Sequence, residues 1–290
     1  MPRRKVGTRM FERLELKAWE ARLELIRMFS YGKAHHFGGS LSCVELLTCL
    51  YFYKMRYSAL LRDDPDRDRF ILSKGHSVPA QYVILSMLGV LPEGELRTIK
   101  QLGSRLQGHP DVNKTPGIEA PTGSLGQGLS FANGVALAAR LDSRQFRIFV
   151  LLGDGELQEG QVWEAAMTSA HHRLTNVCVL VDSNRFQSQG SVGEIKGVQP
   201  LAGKWAAFGW EVLEVDGHDV AQICGALDRV DDRSGRPLAI IASTVKGKGV
   251  SFMENSFKYH NRALSEQEYR QAEQEILEQI SSRKHGHAGH

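Results

Sequence analysis

Cysteine, proline, long apolar runs and an excess of either charge are all scarce in this 290-residue chain. The 4 cysteines, Cys43, Cys49, Cys178 and Cys224, lack the short paired spacings of a zinc site or a disulfide framework. They read as small buried hydrophobes in a reducing cytoplasm, which is the expected location. No apolar run reaches the roughly 18 residues of a membrane-spanning helix, so no membrane segment is expected. The basic start, MPRRKVGTRMFERLELK, leads into a charged helix where a signal peptide would carry its apolar stretch. With 36 Lys and Arg against 33 Asp and Glu, the formal net charge is +3, and the charges are dispersed. That argues against a nucleic-acid partner, which needs a basic stripe or patch. What remains is a globular composition. Hydrophobic residues make up 42% of the chain, and 29 glycines stand against 9 prolines.

Leu16, Trp19, Leu23 and Ile26 recur at helical spacing and predict an amphipathic helix over 10–30. Further helices are predicted near 41–55 and over 79–88, the second stopping at Gly89. Over 92–123 proline and glycine break every period, which predicts a long loop region; such loops in compact domains are usually functional. From 125 onward strands and helices alternate. The small-residue helix LGQGLSFANGVALAARL precedes the strand RIFVLLGDG. Helices near 160–173, 200–208 and 219–230 then alternate with the strands NVCVLVDSN, WEVLEVDG and PLAIIAST. These strands are short apolar runs without clean polar alternation, as strands covered on both faces are. The expected fold class is α/β, a doubly wound parallel sheet with helices on both faces. No repeat or linker divides the chain. A single domain over 1–290 is expected, with a helical lead over about 8–60 and a fraying tail over about 281–290.

In such a sheet ligands bind beyond the carboxyl ends of the strands. Here those ends carry Gly153-Asp154-Gly155, Asp182-Ser183-Asn184, Asp216-Gly217-His218 and Thr244-Val245-Lys246. Neighbouring strand ends would bring Asp154 and Asn184 together. One carboxylate plus one amide oxygen suits Mg2+, which takes few protein oxygens and completes its octahedron with phosphate and water. Gly153 and Gly155 let a diphosphate approach the backbone, and the following helix offers free N–H groups to an anion. Taken alone, Gly-Asp-Gly also reads as ordinary turn chemistry at a strand end. The second strand end, with Asn184 30 residues on, makes the pair more specific.

Gly-Asp-Gly followed about thirty residues later by a strand ending in asparagine is similar to the thiamine-diphosphate-binding pattern. The text GDGELQEGQVWEAAMTSAHHRLTNVCVLVDSNRFQSQG resembles the transketolase family. Four more segments resemble it in the family's order: AHHFGGSLSCVELL, RDRFILSKGHSVPAQY, LQGHPDVNKTPGIEAPTGSLGQGLSFANGVALA and TVKGKGVSFMENSFKYH. Together they cover roughly residues 10–265. The resemblance implies a diphosphate-type domain with thiamine diphosphate and Mg2+ as cofactors. It makes Asp154 and Asn184 metal ligands through their side chains, Phe186 a ligand through its backbone carbonyl, and Asp182 a structural neighbour. Gly123 and Leu125 would contact the thiamine and its diphosphate.

The matching histidines are His36, His76, His109 and His260. Histidine can both hold a diphosphate or sugar hydroxyl and move protons near neutral pH. The resemblance implies that these four line the cofactor and the substrate hydroxyls, with His76 and His260 on the cofactor. Glu159 matches a family residue that sits beside the partner's activating glutamate, and it is grouped with the catalytic set. Lys246, in VKGKGV, is either part of a solvated basic turn or the cation on the phosphate side of the site. His171 and His172 fall within a helix and read as structural. One loop departs from the family pattern. Where Gly-His-Pro is usual, this chain has His35-His36-Phe37, and the bulky Phe37 leaves the shape of the substrate entrance and the choice of sugar open.

In this family the glutamate that activates the cofactor lies in a pyrimidine-binding domain, and the matched segments end before such a domain would begin. The resemblance therefore implies the amino-terminal subunit of a split transketolase. Its partner would be the carboxy-terminal, pyrimidine-binding subunit, in a heterotetramer of two of each chain. Together they would transfer a two-carbon ketol unit from a ketose phosphate to an aldose phosphate. Other readings stand beside this one: a specialised thiamine-diphosphate enzyme with a non-standard sugar, or a non-catalytic partner subunit. The presence of both Asp154 and Asn184 argues against the last.

Overall fold

The computed structural model describes residues 7–31, 35–92, 94–232 and 234–286. Five strands form its sheet: β1 (Arg69–Leu72), β2 (Ile148–Gly153), β3 (Val177–Ser183), β4 (Glu211–Asp216) and β5 (Leu238–Ser243). They pair in the order β1-β2-β3-β5-β4, and every pair is parallel. The helices are α1 (Thr8–Phe29), α2 (Phe37–Leu41), α3 (Val44–Cys49), α4 (Val78–Met87), α5 (Gln127–Leu141), α6 (Gly160–His171), α7 (Val192–Lys196), α8 (Leu201–Ala207), α9 (Val220–Asp228) and α10 (Glu266–Gly286). Buried residues of α1 to α4, α9 and α10 cover one face of the sheet, and those of α5 to α8 cover the other.

β2, β3 and β5 are runs rich in Val, Ile and Leu, buried along almost their whole length. Their residues divide by parity. Phe149, Leu151, Leu180 and Ile240 enter one core, while Val150, Leu152, Val179 and Ile241 enter the other. Both faces are apolar, so the period of two is hidden in the sequence and shows only in the helices each residue meets. β4 lies at the sheet's edge and carries Glu211, Glu214 and Asp216, charges that an edge strand tolerates. The expected doubly wound parallel sheet is what the chain forms. All four cysteines are free and buried. No described helix is long and apolar enough to cross a membrane.

Three local features differ from the reading of the sequence. β1 falls in a stretch given no strand, because its four-residue run RFIL is flanked by charges. The single helix expected near 41–55 is broken into α2, α3 and a π-helical turn over Leu50–Lys54. α10 is helical through Gly286, well into the tail expected to fray from 281; the rest of that tail lies outside the described residues. Tyr269, Ala272, Ile276 and Ile280 give α10 an apolar stripe against α1, which is what carries the helix so far.

Candidate active site

The parallel register of β2 and β3 sets Gly153 against Asp182, so the two strand ends meet. Asp154, the next residue, is buried, and both its oxygens accept backbone N–H groups: Oδ1 from Gly155 at 2.8 Å and Oδ2 from Arg185 at 2.6 Å. Burial, and then the nearby Asp182, push the Asp154 carboxyl up to about 6. Beyond β3, the buried Asn184 accepts the Phe186 N–H through Oδ1 at 3.1 Å. Its Nδ2 donates to Asp182 Oδ2 at 3.2 Å, which fixes the amide's orientation.

Beneath them lies a polar floor that the sequence did not reveal. Asp182 accepts from Ser42 at 2.6 Å and also from Thr244 and Lys74. Its burial alone would raise its pKa, but the Lys74 ammonium outweighs this and holds the carboxylate below its ordinary value. Lys74 is likewise kept charged by Asp182 against the cost of its burial. Glu156 is a second missed residue. Its fully buried carboxylate accepts from Gly126 N–H at 2.9 Å and Gly153 N–H at 3.0 Å, tying two glycine loops together. Lys74 was illegible because β1, which delivers it, was. Glu156 stands two residues past Asp154, and its position in that motif was the available signal.

A cavity of about 240 Å3 opens above this floor. His76, Leu125, Gly153, Asp154, Gly155, Glu159, Asn184, Phe186 and His260 all line it, as does Lys246. His36 and His109 stand next to it. The His36 ring centre is 5.2 Å from that of His76, 5.3 Å from that of His260 and 5.9 Å from that of His109. Gly123 holds φ at +139° directly against His109, and a Cβ there would stand 2.7 Å from the His109 ring. Glu159 is exposed on the rim, at the start of α6. His171 and His172 sit at the exposed far end of α6, their rings edge-on to each other. A wider hollow of about 690 Å3 lies at the opposite end of the sheet, among Arg–Asp pairs and far from these motifs.

Burial depresses the pKa of every clustered histidine: His36 to about 4, His260 to about 3, and His76 and His109 also downward. Lys246 is pushed down to about 8 by burial and then by Lys74. Its Nζ donates to the Phe186 carbonyl at 3.0 Å and lies 3.2 Å from His260 Nδ1. The loop that departs from the family pattern has a specific arrangement. Phe37 is fully buried and packs edge-on to Phe29 at 4.5 Å, with Tyr269 of α10 beyond it. His35 is also buried against Phe29. Only His36 faces the cluster, so the bulk of Phe37 fills the core and does not line the cavity.

Among the described residues, no group of three or more His, Cys, Asp or Glu is placed to hold a metal. The donors at hand are oxygens: the Asp154 carboxylate, the Asn184 amide and the Phe186 carbonyl. This small, hard set fits Mg2+ sharing its shell with phosphate. The Lys246 ammonium on the Phe186 carbonyl shows that this oxygen already attracts a positive charge.

Residues 20–279 match the family model described as the transketolase thiamine diphosphate binding domain. The chain belongs to the transketolase family. It is 40% identical over 269 residues to an apulose-4-phosphate transketolase subunit of Phocaeicola vulgatus, covering 93% of this chain and 95% of that one. It is 42% identical over 241 residues to the 6-deoxy-6-sulfo-D-fructose transketolase subunit SqwG of Clostridium sp., covering 83% and 88%. Among solved structures, transketolase from Campylobacter jejuni superposes with a TM-score of 0.85 at 31% identity, over 91% of this chain and 42% of that one. The chain thus spans less than half the length of this solved transketolase.

Proposed function

We propose that this chain is the diphosphate-binding half of a two-chain, Mg2+-dependent transketolase that moves a two-carbon ketol unit between sugars. The observation that carries the reading is the convergence of Asp154, Asn184 and the Phe186 carbonyl with His76 and His260 around one cavity. Thiamine diphosphate, when bound, supplies the nucleophilic carbon that accepts the ketol unit. Asp154, Asn184 and Phe186 hold the Mg2+ that neutralises the diphosphate, and Gly153 and Gly155 let the phosphates approach the backbone. Lys246 and His260 stand on the phosphate side. His36 and His109, with His76, meet the sugar. Neutral at pH 7, each ring can accept a hydrogen bond from a sugar hydroxyl at one nitrogen and donate one from the other.

The partner is a carboxy-terminal, pyrimidine-binding chain, and the assembly is a heterotetramer of two of each chain. Glu159, exposed on the rim, is where such a chain would reach the site. Two relatives are named for unusual sugars, apulose 4-phosphate and 6-deoxy-6-sulfo-D-fructose. The positive charge of Lys100 acts on both His36 and His109. We therefore expect the substrate to be a ketose with an anionic end, phosphate or sulfonate. In the reconstituted two-chain enzyme, Asp154→Ala should abolish Mg2+-dependent ketol transfer and weaken Mg2+–thiamine diphosphate binding by at least about a hundredfold in calorimetry, while circular dichroism stays native. Full activity in that variant would remove the metal assignment.

A further inference from the structure

His218 follows the edge strand β4 and reaches over the end of β5, outside the residues that line the cavity. The backbone N–H of Val245 donates to its Nε2 at 2.8 Å. Nε2 is therefore the lone-pair nitrogen, and the ring proton of a neutral imidazole sits on Nδ1, 3.1 Å from Glu45 Oε2. Glu45 is 5% exposed and also accepts from Arg22 Nη2 at 2.5 Å. The fully buried Arg22 in turn donates from Nε to the Lys248 carbonyl at 3.1 Å. One buried network thus holds the loop at both ends, at the Val245 N–H and at the Lys248 carbonyl. Between them, Gly247 N–H donates to the Gly38 carbonyl at 3.0 Å. The stem of Lys246 runs so close to Gly38 that a Cβ there would meet its Cγ at 2.7 Å. A buried ion pair adds little net stability over apolar packing, so the value of this one is to be sought in the geometry it fixes.

We propose that His218 is a positioning residue: anchored on Glu45 and accepting the Val245 N–H, it fixes the backbone from which Lys246 reaches the cavity. The importance of Lys246 rests on the proposed function, but the test reads the lysine's position and not turnover, so either idea can fail alone. The experiment is acylation of the full chain, without cofactor, by limiting acetic anhydride, read by peptide mass spectrometry. His218→Asn keeps an amide where Nδ1 stood, and so the link to Glu45, but cannot reach Val245. His218→Gln places an amide oxygen where Nε2 stood and restores the acceptor. Lys246 labelling should rise about tenfold in His218→Asn, the effect of losing one net hydrogen bond. It should return towards the native rate in His218→Gln. Lys74, equally buried, should keep its native rate in both. Unchanged Lys246 labelling in His218→Asn, an equal rise in both variants, or a parallel rise at Lys74 would overturn the proposal.

Discussion

Burial keeps His36, His76 and His260 neutral, so each offers one ring nitrogen as acceptor and one as donor. With burial as the largest cause, His36 is held at about 4 and His260 at about 3, so both are neutral throughout the physiological range. The sign of the linkage follows. Near pH 5 the unfolded chain binds protons at these rings and the folded chain does not, so their burial costs stability increasingly as pH falls from about 6.5 towards 4. Nuclear magnetic resonance of labelled histidine rings should find His36 and His260 neutral at pH 5.5; a midpoint near 6.5 for either would contradict the buried cluster. Phe37 offers a second check beside them. Phe37→Ala should cost roughly 3–5 kcal/mol in urea denaturation, the cost of emptying an aromatic site in a packed core. A loss below about 1 kcal/mol would place the ring outside the core.

The loops at the strand ends depend on elements far from them in sequence. Arg22 of α1, Glu45 of α3 and His218 beyond β4 meet only in the fold, and together they brace the loop after β5. Burial would raise the Glu45 pKa, but Arg22 and the hydrogen bonds from His218 and Arg22 outweigh it and hold it at about 2. A depressed carboxyl contributes stability above its unfolded pKa and loses it as pH falls through the folded value. The stability gap between the native chain and Glu45→Gln should therefore shrink between pH 4.5 and pH 2, by roughly 3 kcal/mol. A gap independent of pH in equilibrium denaturation would contradict the ion pair. This network was not legible in the sequence, because its members lie on three elements with no shared periodicity. Long apolar runs were legible, and so were β2, β3 and β5 with Asp154 and Asn184 at their ends. β1 was not, since three apolar residues between charges carry too little pattern, and Lys74 was lost with it. Phe37 read as a change at the entrance because sequence position cannot tell which way a side chain turns.

Taken whole, the molecule is one sheet with a polar cavity at the carboxyl ends of its strands, walled by the histidine loops and open at a rim that includes Glu159. On the proposed function, the cavity supplies the groups for a metal and a diphosphate, while the glutamate that activates the cofactor comes from the partner chain. Relatives of nearly the same length are named as subunits, while solved transketolases extend to more than twice the length matched here. On the proposed function, a second chain completes the site. The most direct test is ketol transfer by the purified chain, with Mg2+, thiamine diphosphate and a panel of anionic ketoses and aldoses, measured with and without a carboxy-terminal transketolase partner. We predict no transfer by the chain alone and robust transfer by the pair. Robust transfer by the chain alone would contradict a site shared between two chains.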